Sequence, residues 1–158
     1  MKLRFYPYPA VHQFYQSLGN GEAKPRSSVF SRNGKIKLTE KTVLVVEDDK
    51  FSFKYLEAIL KRYEVNILHA VNGTEAVDLC MKNQDISLIL MDIQLPNLSG
   101  YDATRQIRAI HKDIPIIAQT ANAFDEDKQK CLEAGCNEYL AKPIAINTLI
   151  SILAKYLF

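Results

Sequence analysis

Residues 41–158 hold five short apolar runs, separated by segments whose apolar residues recur at helical spacing. The runs are TVLVV (42–46), VNILHA (65–70), ISLILM (86–91), IPIIA (114–118) and EYLA (138–141). Their apolarity is continuous rather than alternating. A strand with one wet face alternates, whereas a strand covered on both faces does not. The pattern therefore calls for a parallel sheet with helices on both sides. In the intervening segments Phe53, Leu56 and Leu60 share a helical face, as do Ala103, Ile107 and Ile110. In 144–157, Ile146, Leu149, Ile150 and Leu153 fall together. Ser99 with Asp102, and Asn72 with Glu75, carry the spacing of helix-starting caps, and Gly135 after CLEA reads as a helix stop. Five such strand–helix units predict an α/β, doubly wound, three-layer sandwich. Right-handed crossovers point all five strands the same way, so their carboxyl ends share one edge, where ligands bind in such folds.

The residues that the strands deliver to that edge are chemically selective. Glu47-Asp48-Asp49 comes after the first, Asp92 ends the third, Thr120 and Ala121 come after the fourth, and Lys142-Pro143 after the fifth. Acids crowded together repel one another and call for a cation. Mg²⁺ suits them, being hard and oxygen-seeking. The set fits phosphoryl transfer to a carboxylate, with Asp92 as nucleophile. Lys142 and Thr120 would hold the other phosphoryl oxygens, and the small Ala121 would leave room for the group.

Charge divides the chain. Residues 1–40 carry seven Lys/Arg against two Glu, and residues 41–158 carry thirteen against sixteen acids. The break predicts a boundary near Lys41. Residues 1–40, basic and aromatic with Pro and Gly breaks, are expected to be an extension or linker. They are too sparsely patterned for a nucleic-acid binder. No apolar run approaches the ~20 residues that a membrane span needs, and no signal-peptide core is present. Cys80, Cys131 and Cys136 are odd in number and lack metal-ligand spacing, so buried, reduced thiols are expected. His12, His69 and His111 are scattered, and none reads as a ligand or base.

VLVVEDD, LILMDIQLPNLSGYDATRQIR, IIAQTA and CLEAGCNEYLAKPI together resemble the receiver domain of two-component response regulators, across residues 41–158. The resemblance implies a flavodoxin-like sheet of strand order 2-1-3-4-5. It implies Asp92 as phospho-acceptor, Asp48 as a direct Mg²⁺ ligand, Glu47 as a ligand through water, and the main-chain carbonyl of Gln94 on the same ion. It further implies Thr120 as switch hydroxyl, Tyr139 as switch aromatic, a cis Lys142–Pro143 bond, and Asp49 at a helix start rather than on the metal. The partner would be a histidine kinase or a histidine phosphotransfer protein in the cytoplasm, and no downstream target is named. The output surface would be the face of the fourth helix, fifth strand and fifth helix, through which a dimer is one allowed assembly. The fourth helical segment, 123–135, is the least apolar, and Phe124, Cys131 and Leu132 are almost its whole expected anchor. No output domain comes after Leu157, so direct DNA binding is not expected. Two contexts stay open: a stand-alone regulator, or the C-terminal receiver of a hybrid sensor kinase.

Three rivals share parts of this pattern. An FMN carrier needs a hydroxyl-rich phosphate loop after strand one, where this chain has EDDK. A haloacid-dehalogenase-type phosphatase expects a second Asp two residues after the nucleophile, where this chain has Gln94. A binding-only module would keep the pocket without switching.

Overall fold

The structure is a computed structural model that describes residues 38–121 and 125–157. The expectations for the N-terminal extension and for Phe124 lie outside these residues. Five strands form one sheet: β1 (Thr42–Val46), β2 (Asn66–Ala70), β3 (Ile86–Asp92), β4 (Ile116–Thr120) and β5 (Glu138–Ala141). All pairs are parallel and the order is β2-β1-β3-β4-β5, as expected. The helices are α1 (Lys50–Leu60), α2 (Gly73–Lys82), α3 (Gly100–Ile110), α4 (Asp125–Ala134) and α5 (Ile146–Leu157).

Strand alternation sorts the core into two layers. Val43, Val45, Leu88, Leu90, Ile117 and Leu140 meet α1 and α5 on one face. Leu44, Val46, Ile89, Met91, Ile116 and Ala118 meet α2, α3 and α4 on the other. Both faces of the central strands are therefore dry, which is why their sequence does not alternate. The caps form as expected: Asn72 accepts from the Glu75 N–H and Ser99 from the Asp102 N–H. Gly135 has φ +102, a left-handed conformation that only glycine adopts cheaply, and the Cys136 N–H closes on the Cys131 carbonyl behind it.

Three expectations are corrected. β4 is Ile116–Thr120 rather than 114–118. Pro115 has no N–H to give the ladder and contributes only its carbonyl, which accepts from the Ile89 N–H, so the strand begins at Ile116; it ends at Thr120, paired with Ala141. Ile110 is 41% exposed rather than on the inner face; it ends α3, where the chain turns to the extended His111. Leu132 is 57% exposed; of the expected anchors Cys131 is buried, and Ala134, three residues on, joins it on the buried side of α4. Leu38, before the charge break, is buried at 3% exposure and its N–H donates to the Tyr63 carbonyl. The packed unit thus includes residues ahead of Lys41. All three cysteines are free and buried, as expected.

Candidate functional site

Side-chain parity builds the site. Val43 and Val45 face the α1/α5 layer, so Glu47, one step beyond β1, faces it too. On β3 Leu88 and Leu90 carry that parity to Asp92, and on β4 Ile117 carries it to Gln119. Asp92 and Gln119 are register neighbours. On β5 Leu140 carries the parity to Lys142. Four polar side chains thus come to one end of an otherwise aliphatic layer.

The Lys142 ammonium closes this row. It donates to Glu47 Oε2 at 2.7 Å and to Asp92 Oδ2 at 2.6 Å. Glu47 and Asp92 are almost fully buried, and Lys142 is partly exposed. Asp48 joins them from the exposed side: one carboxylate oxygen from each of Glu47, Asp48 and Asp92 lies within 4.8 Å of the others. Burial pushes the Glu47 carboxyl above its ordinary range, against the pull of its Lys142 hydrogen bond, and the Asp92 charge adds to the rise. Burial draws Lys142 down, but its hydrogen bonds to Asp92 and Glu47 outweigh that and hold its pKa above the usual lysine range. With all four groups ionised, three carboxylates and one ammonium leave two negative charges in a small space. Hard oxygen donors with that net charge suit a divalent cation such as Mg²⁺.

The loops aim these groups. Asp49 is the N-cap of α1, its Oδ1 accepting from the Ser52 N–H at 2.8 Å, which occupies it at the helix start as expected. The Gln94 N–H donates to Asp92 Oδ1 at 2.9 Å. Gly100, legible in the sequence only as loop punctuation, has a structural reason to be glycine. A Cβ there would stand 2.1 Å from the Asp92 carbonyl oxygen and 2.7 Å from the Ile93 Cα. The Gly100 N–H also donates to the Ile93 carbonyl. The start of α3 is thus pressed onto the backbone that carries Asp92.

The other expected residues fall around this centre. Thr120 ends β4, buried, and its carbonyl accepts from the Lys142 N–H. Ala121 comes next, exposed. Tyr139 is half-buried against the α2–α4 layer, with the Lys128 ammonium 5.3 Å from its ring centre. The Lys142–Pro143 bond is cis, as the resemblance implied. Two residues had no sequence signal. His69 Nε2 lies 2.9 Å from the Glu47 carbonyl oxygen. Gln119 is fully buried, and among the described residues neither amide atom has a hydrogen-bond partner. It lines a cavity of about 440 Å³ beside Glu47, Phe51, Tyr55 and Lys142.

Comparison with known proteins settles the family. The family described as "Response regulator receiver domain" matches residues 43–154. The chain belongs to that family. As a receiver, it is a phosphoryl-accepting domain of two-component phosphorelay signalling. It is 34% identical over 119 residues to the polar-differentiation response regulator DivK of Brucella anthropi, covering 74% of this chain and 96% of that protein. It is 35% identical over 114 residues to the sensor histidine kinase RcsC of Salmonella typhimurium, covering 72% of this chain but 12% of the kinase. The receiver thus spans a small part of the sensor kinases it matches. Among solved structures it resembles the receiver domain of the sensor histidine kinase PA1611 of Pseudomonas aeruginosa, which has a magnesium ion in its active-site cleft. That likeness has a TM-score of 0.69 at 39% identity, over 74% of this chain and 97% of that one. It also resembles the receiver of the yeast regulator Ssk1, solved with the phosphotransfer protein Ypd1, at a TM-score of 0.71 and 34% identity, over 75% and 89% of the two chains. Among the described residues no helix is long and apolar enough to cross a membrane.

Proposed function

We propose that this receiver takes a phosphoryl group from a phosphohistidine of a histidine kinase or phosphotransfer protein onto Asp92, in the cytoplasm. The observation that carries the reading is the Lys142 ammonium bonded at once to Glu47 and Asp92, with Asp48 beside them. The pairing of Ypd1 with the Ssk1 receiver supports the partner class. The magnesium ion in the PA1611 receiver supports the metal.

Asp48 and Asp92 would hold Mg²⁺ directly, Glu47 through water, and the Gln94 main-chain carbonyl would complete the protein's share. When bound, the ion offsets repulsion between the carboxylates and the anionic donor. An Asp92 carboxylate oxygen attacks phosphorus, the bond from phosphorus to the donor's imidazole nitrogen breaks, and the electron pair stays on that nitrogen. Lys142 leaves the Asp92 oxygen for a phosphoryl oxygen, and the Thr120 hydroxyl moves onto another. Ala121 leaves space there. Tyr139 then turns inward behind Thr120, and the face of α4, β5 and α5 changes.

The test is incubation with acetyl phosphate or phosphoramidate and Mg²⁺, and then measurement of intact-protein mass. One added phosphate is expected on the native chain and none on Asp92→Asn. An unlabelled native chain, or undiminished labelling of the variant, defeats the proposal.

A further inference from the structure

We infer that His69 is a positioning residue for the proposed metal site, acting through a hydrogen bond from its Nε2–H to the main-chain carbonyl of Glu47. The inference rests on the function proposed above only for its metal readout.

His69 sits on β2, opposite Val45 in the β1–β2 register. Its Nε2 is 2.9 Å from the Glu47 carbonyl oxygen. A carbonyl only accepts, so Nε2 must carry the proton. The imidazole lies flat on the Phe53 ring of α1, with centroids 3.6 Å apart and planes 10° from parallel. The Phe53 N–H donates in turn to the Asp49 carbonyl, and the Glu47 N–H donates to the Ala70 carbonyl. Both main-chain polar groups of Glu47 are therefore tied to β2, and the far end of the short loop is tied into α1.

This matters because residues 47 and 48 lie beyond the last β1 residue, and the Glu47 N–H makes the last ladder bond to β2. The peptide between Glu47 and Asp48 carries the His69-bound carbonyl at one end and aims the Asp48 carboxylate from the other. Without a donor at its carbonyl, that peptide keeps only the bonds of the flanking Glu47 and Asp49 N–H groups, and any tilt it then takes carries Asp48 with it. Residues outside the ligand set that orient ligands commonly change metal affinity ten- to a hundredfold when removed. An aromatic hydrocarbon at 69 would stack on Phe53 as well as the imidazole does, so packing alone does not call for histidine.

The test separates the bond from the stack. His69→Phe keeps a ring on Phe53 and removes the donor; His69→Gln keeps an amide N–H at the reach of Nε2 and removes the ring. In the metal-free native protein, nitrogen NMR of the imidazole is expected to show hydrogen on Nε2. Calorimetric titration with Mg²⁺ is expected to give a dissociation constant about tenfold higher for His69→Phe, and within about threefold of native for His69→Gln. Circular dichroism and melting of all three proteins check that each is folded. Native-like Mg²⁺ affinity in folded His69→Phe, a failure of His69→Gln as large as that of His69→Phe, or a proton on Nδ1 instead of Nε2, each overturns the inference. Absence of Mg²⁺ binding by the native protein overturns the proposed function instead, and leaves the tautomer result to stand by itself.

Discussion

The two faces of the sheet are built from different materials. All sixteen buried residues of the hydrophobic cluster between the sheet and α1/α5 are Leu, Ile or Val. On the opposite layer seven of sixteen are Ala or Cys: Ala70, Ala76, Cys80, Ala103, Ala118, Cys131 and Cys136. Small residues let helices approach the sheet closely but remove less apolar surface from water per residue. The contrast sharpens between two of the helices that come after site-bearing strands, α1 and α4. α1, after the acids of β1, buries Leu56, Ile59 and Leu60 and stacks Phe53 on His69. α4, after Thr120, buries only Cys131 and Ala134 among its described side chains. The acid cluster thus rests on the firmer layer, and α4, one element of the face proposed to switch, on the more weakly held one. A cation site needs fixed ligands, while an output surface needs an element that repacks at low cost.

The largest expected effect tests the firm layer. Leu56 is 1% exposed, so Leu56→Ala is expected to lower unfolding free energy by about 3 kcal/mol in urea melts. A cost under about 1 kcal/mol would mean that the aliphatic layer is not the stronger one.

Next is Gly100, where the thinner layer comes closest to the site. The built Cβ meets backbone, not a flexible side-chain tip, so neither neighbour yields without moving Asp92 or the start of α3. Gly100→Ala is expected to cost about 2 kcal/mol and to slow labelling of Asp92 by acetyl phosphate. Native stability together with native labelling would show that this approach is slack.

These positions mark where the sequence was legible and where it was not. Continuous apolar runs announced a sheet covered on both sides, and the order in which acids, hydroxyl and lysine come after the strands placed Glu47, Asp48, Asp92, Thr120 and Lys142 at one edge. That information lies along the chain. The helix periodicity of 103, 107 and 110 was real, yet Ile110 is exposed, because periodicity says which residues align and not where a helix runs out. Leu132 misled for a related reason: its apolarity predicted burial, but the burial direction of α4 is set by Cys131 and Ala134. Gly100 and His69 were illegible because their partners are backbone atoms. A carbonyl oxygen approached at 2.1 Å, or one awaiting an imidazole N–H, leaves no mark in residue types.

A smaller effect distinguishes the layers by chemistry. Thiols occur only in the α2–α4 layer, and burial pushes Cys80 up to about 11 from an ordinary 9.0. The folded state therefore holds the proton longer than the unfolded chain does. That contribution is fully present below pH 9 and is lost as pH rises through 9 toward 11. A loss of about 1 kcal/mol by pH 10 is expected from this group. Urea melts of the native protein and of Cys80→Ala at pH 8 and pH 10 isolate it, because the variant's difference between the two pH values should be smaller by that amount. Equal differences would place Cys80 in wetter surroundings.

The smallest expected effect is the most telling for α4. Leu132 is a large apolar side chain, 57% exposed, on a helix with little else to hold it. If burial of Cys131 and Ala134 is what seats α4, then Leu132→Ala removes a side chain that folding leaves mostly in water. The unfolding free energy should move by less than about 0.5 kcal/mol. A loss above about 1 kcal/mol would mean that Leu132 packs in solution, that α4 is fastened more firmly than its two small buried residues allow, and that the contrast between a fixed acid cluster and a compliant output helix is wrong at its weaker end. Amide hydrogen exchange on the same protein gives the complementary reading: α4 amides exchanging as slowly as those of α1 would refute the compliance even if Leu132→Ala proved silent.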